Sequence, residues 1–192
     1  MSEIREVLLK WFDVRSDLWV TDSYYRSKVV NNSVYTLQDF AVLEYVKNKY
    51  GSGTKICEPG CGYGQLSILL AQNGYDVTGV EGAQWRFDGA QFLQKHVPVV
   101  AGKLSFVHGF YPTACTCRYD LIVCQNMVNT GWSDWLVANQ LSSAVLAPSI
   151  ILDARTWGIH RSDPHEVVQQ FIDNDYTVFH VGGTVYEFHL QS

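Results

Sequence analysis

A chain of 192 residues suffices for one domain with a self-supporting core, and 47% apolar against 17% charged residues excludes a disordered or fibrous protein. No apolar run reaches membrane-spanning length and the N-terminus MSEIREVLLKWF lacks the layout of a secretory signal, so a cytoplasmic protein with no membrane contact is expected. A net charge of −5 without a basic block argues against a broad grip on a nucleic-acid backbone.

The first 35 residues read as an N-terminal cap or lid extension. Their stretch WFDVRSDLWVTDSYYRSKVVNNSVY is aromatic, polar and without clear period, which predicts a loop-rich cap over one end of a sheet. Thr36-Leu37-Gln38-Asp39 is a capping-box start for a helix running to about Tyr50 and ended by Gly51-Ser52-Gly53. KICEP then reads as a first strand, and QLSILLAQNG as a helix with Leu66, Leu69 and Leu70 at helical spacing, stopping at Gly74. YDVTGVE is a second strand, AQWRFDGAQFLQKH a helix, and KLSFVH and YDLIVCQN a third and fourth strand. WSDWLVANQLSSAVL predicts another helix and SIILDA a fifth strand. Asp163, Pro164 and Glu166 supply cap, first turn and capping box for a helix ending near Asp173. YTVFHV and TVYEFHL flank Gly182-Gly183, the two-residue turn of a hairpin. Strand–helix alternation closed by a hairpin predicts an α/β fold: a mostly parallel sheet, helices on both faces, and an antiparallel strand at or near one edge.

In such a sheet ligands bind beyond the carboxyl ends of the strands, where strand order reverses. Gly60, Gly62 and Gly64 leave the first strand there, permitting positive φ and close approach of a ligand to the backbone. Glu81 ends the neighbouring strand, where an acid accepts the hydroxyls of a ribose. A nucleoside held by its sugar follows. A dinucleotide would want a third glycine or alanine where Gln65 stands, and its pyrophosphate would be repelled by Glu58; a ligand with positive charge near the loop would welcome that acid.

Glu58-Pro59-Gly60-Cys61-Gly62-Tyr63-Gly64 resembles the Glu/Asp-x-Gly-x-Gly-x-Gly loop of the class I S-adenosylmethionine-dependent methyltransferases, with Glu81 at the place of the family's ribose-binding acid. In order of elements the resemblance extends from about Thr36 to the C-terminus. It implies a Rossmann-like, seven-stranded, mostly parallel sheet with a C-terminal antiparallel hairpin, and a methyltransferase domain over residues 36–192. The cofactor it implies is S-adenosyl-L-methionine. Gly60, Cys61 and Gly62 would lie against the methionine and ribose portion, Glu58 would orient the loop or the cofactor ammonium, and Glu81 and Gly82 would hold the ribose end. Gln125 would line the methionine side. Many family members place an acid after the third strand for the adenine amine; here the run is VHGFYP, so Phe110 and backbone groups are expected to hold adenine.

The sulfonium methyl is already activated, so the protein's tasks are alignment and exclusion of water, with a base needed only if the acceptor loses a proton. Tyr24, Tyr25 and Tyr35 are placed to close over the cofactor, against the plainer reading that they are packing aromatics. Asn126, Asn129, Thr130 and Trp132 follow the fourth strand, and Asp153, Arg155, Trp157 and His160 the fifth, all at the ligand edge. Tyr35, Asn129, Trp132 and Arg155 are the expected acceptor contacts, and His160 is the best-placed base unless it is an ordinary solvated histidine. Tyr24 and Tyr25 are the other catalytic candidates. No Asn/Asp-Pro-Pro-Tyr/Phe run follows the fourth strand, which reads CQNMVN. With the acidic charge, this favours a small-molecule acceptor over a protein or nucleic acid. A non-catalytic cofactor-binding or partner protein with the same fold is the competing reading. The five cysteines are expected to be reduced, with Cys57 and Cys61 small fillers; Cys115-Thr116-Cys117 lacks zinc-site spacing, and no metal is expected.

Overall fold

The computed structural model describes residues 2–115, 117–125, 147–153 and 164–191. Among these the elements run α1 (Ser2–Val14), α2 (Leu18–Thr21), α3 (Ser23–Val30), α4 (Leu37–Lys49), β1 (Lys55–Pro59), α5 (Gln65–Gln72), β2 (Asp76–Glu81), α6 (Gln84–His96), β3 (Lys103–His108), β4 (Leu121–Cys124), β5 (Ser149–Asp153), α7 (Pro164–Ile172), β6 (Tyr176–Gly182) and β7 (Val185–Leu190). The helix expected over WSDWLVANQLSSAVL and the capping residue Asp163 lie outside the described residues.

The strands form one sheet in the order β3-β2-β1-β4-β5-β7-β6. The first five are mutually parallel, and β7 runs antiparallel between β5 and β6. From β1 the chain steps outward through β2 and β3, then returns to β1's other side as β4. That reversal opens a crevice at the carboxyl ends of β1 and β4. The two faces follow the strand alternation. Ile56, Val77, Leu121, Val123 and Ile151 pack with Val42, Val46, Leu66 and Leu70 of α4 and α5. Cys57, Val80, Ile122, Ile150 and Leu152 pack on the other face with Phe171 of α7 and Phe188.

The expected cap is mostly helical rather than loop-rich. Ile4, Val7, Leu8, Trp11 and Phe12 recur at helical spacing in α1 and are buried with Tyr63, Ile68 and Leu93. The shorter α2 and α3 lack such a pattern of their own and take their order from contacts with the rest of the chain. The hairpin turn also differs. It falls on Gly183-Thr184, because Gly182 still pairs with Val185 across a register irregularity after His180, and Gly183 takes φ +58°.

The α4 start is as expected: Thr36 N–H donates to Asp39 Oδ2 at 2.6 Å, and Asp39 N–H donates to Thr36 Oγ1 at 3.3 Å. The end of α4 is pinned to β7 by a buried carboxylate. Glu187, fully buried, accepts from the Tyr45 hydroxyl at 2.5 Å and from Tyr50 and Lys49, with His189 Nε2 3.1 Å away. No helix among the described residues is long and apolar enough to cross a membrane.

Candidate functional site

β1 delivers Glu58 to the crevice and the chain turns through Gly60, Gly62 and Gly64 at φ +63°, +60° and +79° before α5 starts at Gln65. Three left-handed residues in five are strained for any side chain other than glycine. The loop is crowded from behind as well. A Cβ on Gly64 would lie 2.3 Å from the Phe106 ring, and one on Gly79 of β2 would meet the same ring and the Cys61 sulfur. Cys61 is buried there, and burial pushes its thiol pKa up, which fits a filler and not a nucleophile.

Glu81 closes β2 beside this loop. Its Oε2 accepts the Gly62 N–H at 2.9 Å and its Oε1 the Ala83 N–H at 2.8 Å, so the carboxylate joins the glycine loop to the start of α6. Glu58, 5% exposed, accepts a short hydrogen bond from the Ser67 hydroxyl. Burial pushes its pKa up to about 8, against the hydrogen bonds from Ser67, with Asp39 and Glu81 adding to the rise. Gly82 lies under Phe110: a Cβ there would be 2.6 Å from the ring, and the ring is 70% exposed. Gln125, just past β4, is buried, and among the described residues neither amide atom has a hydrogen-bond partner.

The N-terminal helices reach this loop through Tyr25. A Cβ on Gly62 would sit 2.1 Å from the Tyr25 hydroxyl oxygen, so Tyr25 rests directly on the loop backbone. Its ring meets Tyr63 edge-on at 4.9 Å and carries the Arg86 guanidinium 5.0 Å from its centroid. Arg86 forks onto Asp22, Nε to Oδ2 at 2.8 Å and Nη2 to Oδ1 at 3.2 Å. The Tyr63 hydroxyl and Trp85 Nε1 donate to the same carboxylate at 3.2 and 3.4 Å. Asp22 is thereby satisfied although buried, as a buried acid must be. Tyr24 sits on the outer edge of Tyr25, half-exposed beneath Lys28. Tyr35 donates to the Gln65 carbonyl at 3.3 Å, at the start of α5.

The structure thus brings Glu58, Gly60, Cys61, Gly62, Glu81, Gly82, Phe110, Gln125, Tyr25 and Tyr35 to the loop and the neighbouring strand ends. Asn126, Asn129, Thr130, Trp132, Arg155, Trp157 and His160 lie outside the described residues. Sequence reasoning missed Asp22, Arg86, Ser67 and Phe106. Ser67, a lone hydroxyl in the apolar run QLSILLA, was a readable signal; the Asp22–Arg86 pairing across 64 positions carried none.

No family model matches the chain. The mitochondrial ubiquinone biosynthesis O-methyltransferase of Schizosaccharomyces pombe is 29% identical over 94 residues, 48% of this chain and 34% of that protein, so the match spans about a third of the relative's length. Magnesium protoporphyrin IX methyltransferase from Synechocystis PCC 6803, solved with bound SAM, superposes with a TM-score of 0.73 over 98% of both chains at 18% identity. A TehB-like SAM-dependent methyltransferase from Corynebacterium glutamicum superposes with a TM-score of 0.60 over 89% of this chain and 97% of that one at 16% identity. At such identities these likenesses establish the fold.

Proposed function

Starting from a fold shared with class I S-adenosylmethionine-dependent methyltransferases, we propose that this chain holds S-adenosylmethionine and directs its methyl group to a small-molecule acceptor. The observation that carries the reading is Glu81, a buried carboxylate oriented by two backbone N–H groups beside three left-handed glycines. Each of its oxygens keeps acceptor capacity beyond the backbone donor, which two vicinal ribose hydroxyls would fill. Gly60, Cys61, Gly62 and Gly82 would present close backbone to the nucleoside, and Phe110 would pack on adenine. Glu58 would face the ammonium, and the buried Gln125 amide would face the methionine side.

When bound, S-adenosylmethionine supplies an activated methyl group open to in-line displacement. The chain's own part is to align and to exclude water. Tyr25 covers Gly62, and the Asp22–Arg86 fork holds it there, so residues 1–35 serve as a cap on a methyltransferase domain of residues 36–192. Tyr35, Asn129, Trp132 and Arg155 are the proposed acceptor contacts, with His160 the first candidate base and Tyr24 and Tyr25 the others. The five free thiols suit a reducing compartment, and we assign the cytoplasm.

Calorimetric titration with S-adenosylhomocysteine and, separately, with NADH tests the cofactor; binding of NADH alone overturns the reading. Labelled methyl transfer from S-adenosylmethionine to fractionated extract tests the reaction. Label in the small-molecule fraction supports the proposal, and label only in protein or nucleic acid replaces the acceptor class. Cofactor binding without any transfer favours a non-catalytic binding protein.

A further inference from the structure

Two thiols outside the cofactor contacts lie face to face. Cys57 of β1 and Cys115, in the connection between β3 and β4, have their sulfurs 3.7 Å apart. Cys57 is fully buried in the sheet and Cys115 is half-buried. Cys115 closes a pair of tight turns that start at Phe110: Ala114 N–H donates to the Phe110 carbonyl and Cys115 N–H to that of Pro112, both at 2.9 Å.

We propose that Cys115 and Cys57 form a peroxide-responsive thiol pair, in which Cys115 is oxidised first and Cys57 closes a disulfide. Access and chemistry both order the steps that way. Cys115 is the more exposed of the two, and its pairing with Cys57, with Tyr119 adding to the effect, holds its pKa below the usual thiol range. The same pairing and burial push Cys57 up, so it remains a protonated partner. The Cys115 sulfur attacks one oxygen of hydrogen peroxide; the O–O bond breaks, leaving Cys115 sulfenic acid and one water. Cys57 sulfur then attacks Cys115 sulfur, the S–O bond breaks, and a second water leaves with the Cys57 proton. Two thiols and one peroxide thus become one disulfide and two waters. The sulfurs close from 3.7 Å to about 2.0 Å, a movement available to the surface connection and not to the central strand. The bond would tie the Phe110 turn to β1. Neither sulfur is needed for cofactor binding, so the pair stands or falls apart from the proposed function.

The test treats the full, reduced chain with hydrogen peroxide and maps disulfides by non-reducing peptide mass spectrometry. The expected product is the chain less two hydrogen atoms, linked Cys57 to Cys115, with Cys115 consumed about tenfold faster than buried Cys61 or Cys124. In Cys57→Ser, Cys115 should stop at the sulfenic acid and be trapped by dimedone; in Cys117→Ser the Cys57–Cys115 link should form as before. A link from Cys115 to Cys117, or five intact thiols at peroxide levels that oxidise free glutathione, overturns the proposal. The wild-type map decides the matter even if Cys57→Ser fails to fold.

Discussion

If the buried Glu58 meets the cofactor ammonium as proposed, binding should carry a pH dependence whose size follows from its surroundings. Burial lifts its pKa to about 8, so near neutrality the free protein carries this carboxyl protonated. An ammonium brought next to it favours the ionised form, and binding must then expel the proton. For a free pKa of about 8, roughly 0.9 proton is released per site at pH 7, and affinity rises about fiftyfold between pH 6 and pH 8 before levelling off. Calorimetry with S-adenosylhomocysteine at pH 6, 7 and 8, in buffers of differing ionisation enthalpy, reads both the affinity and the proton count. Glu58→Gln should flatten the curve at the weak, low-pH affinity. The stability of the free protein moves the opposite way. Because the folded pKa lies above the unfolded one, stability from this group is complete below about pH 4.5 and is lost as pH rises through 8, by an amount on the order of a few kcal/mol. The ligand-induced rise in melting temperature should therefore be larger at pH 8 than at pH 6. A flat affinity from pH 6 to 8 with no proton release refutes the contact between Glu58 and the ammonium.

Replacing Glu81 by alanine removes the proposed acceptor for both ribose hydroxyls and should weaken S-adenosylhomocysteine binding by roughly 1.5–3 kcal/mol, about 10- to 150-fold in Kd; an unchanged titration contradicts the assignment. Gly62→Ala places a methyl at the Tyr25 hydroxyl and forces φ +60° on alanine, so it should abolish binding and expose the cap to protease. Adding Tyr25→Ala should relieve the clash but not the backbone strain, giving a double-mutant cycle with about 1 kcal/mol or more of coupling, and additive effects would show that Tyr25 does not rest on the loop. At the far end of the sheet, burial opposes the ionisation of Glu187, but hydrogen bonds from Lys49, Tyr45 and Tyr50 outweigh it and hold the folded pKa below 4.5. Its stabilisation is present above about pH 4.5 and lost as pH falls through the lower folded value. Glu187→Gln leaves Lys49 partly solvated, so it should lower stability at pH 7 by about 1–3 kcal/mol through the lost charge-assisted bonds and shrink the acid-induced loss, both readable by denaturant titration across pH.

Elements whose order is local were legible in the sequence. KICEP carries its own short apolar run, KLSFVH its alternation and the helix starting at Thr36 its cap, and they end within a residue of where the structure ends them. Glu58 and Glu81 were legible for a related reason, since a strand end fixes where its side chain emerges. What could not be read is set by pairs distant in sequence. Asp22 and Arg86 make sense only once α6 lies beside the N-terminal helices, and α3 has no apolar stripe to announce it. The hairpin turn was displaced because one irregular residue in β6 shifts the pairing, an event that two adjacent glycines do not encode. The periodic α1, by contrast, was present in the sequence as Ile4, Val7, Leu8, Trp11 and Phe12.

The first turn of α6 serves two masters. Ala83 gives its N–H to the Glu81 carboxylate, and three residues on Arg86 grips Asp22. If the proposed cap closes over a compound seated on Gly62 and Glu81, its departure should wait on the parting of an ion pair it never touches. Residence time and affinity would then be separately adjustable: a weaker clamp at Asp22 should quicken arrival and escape together, while the affinity for the proposed sugar stays where Glu81 sets it.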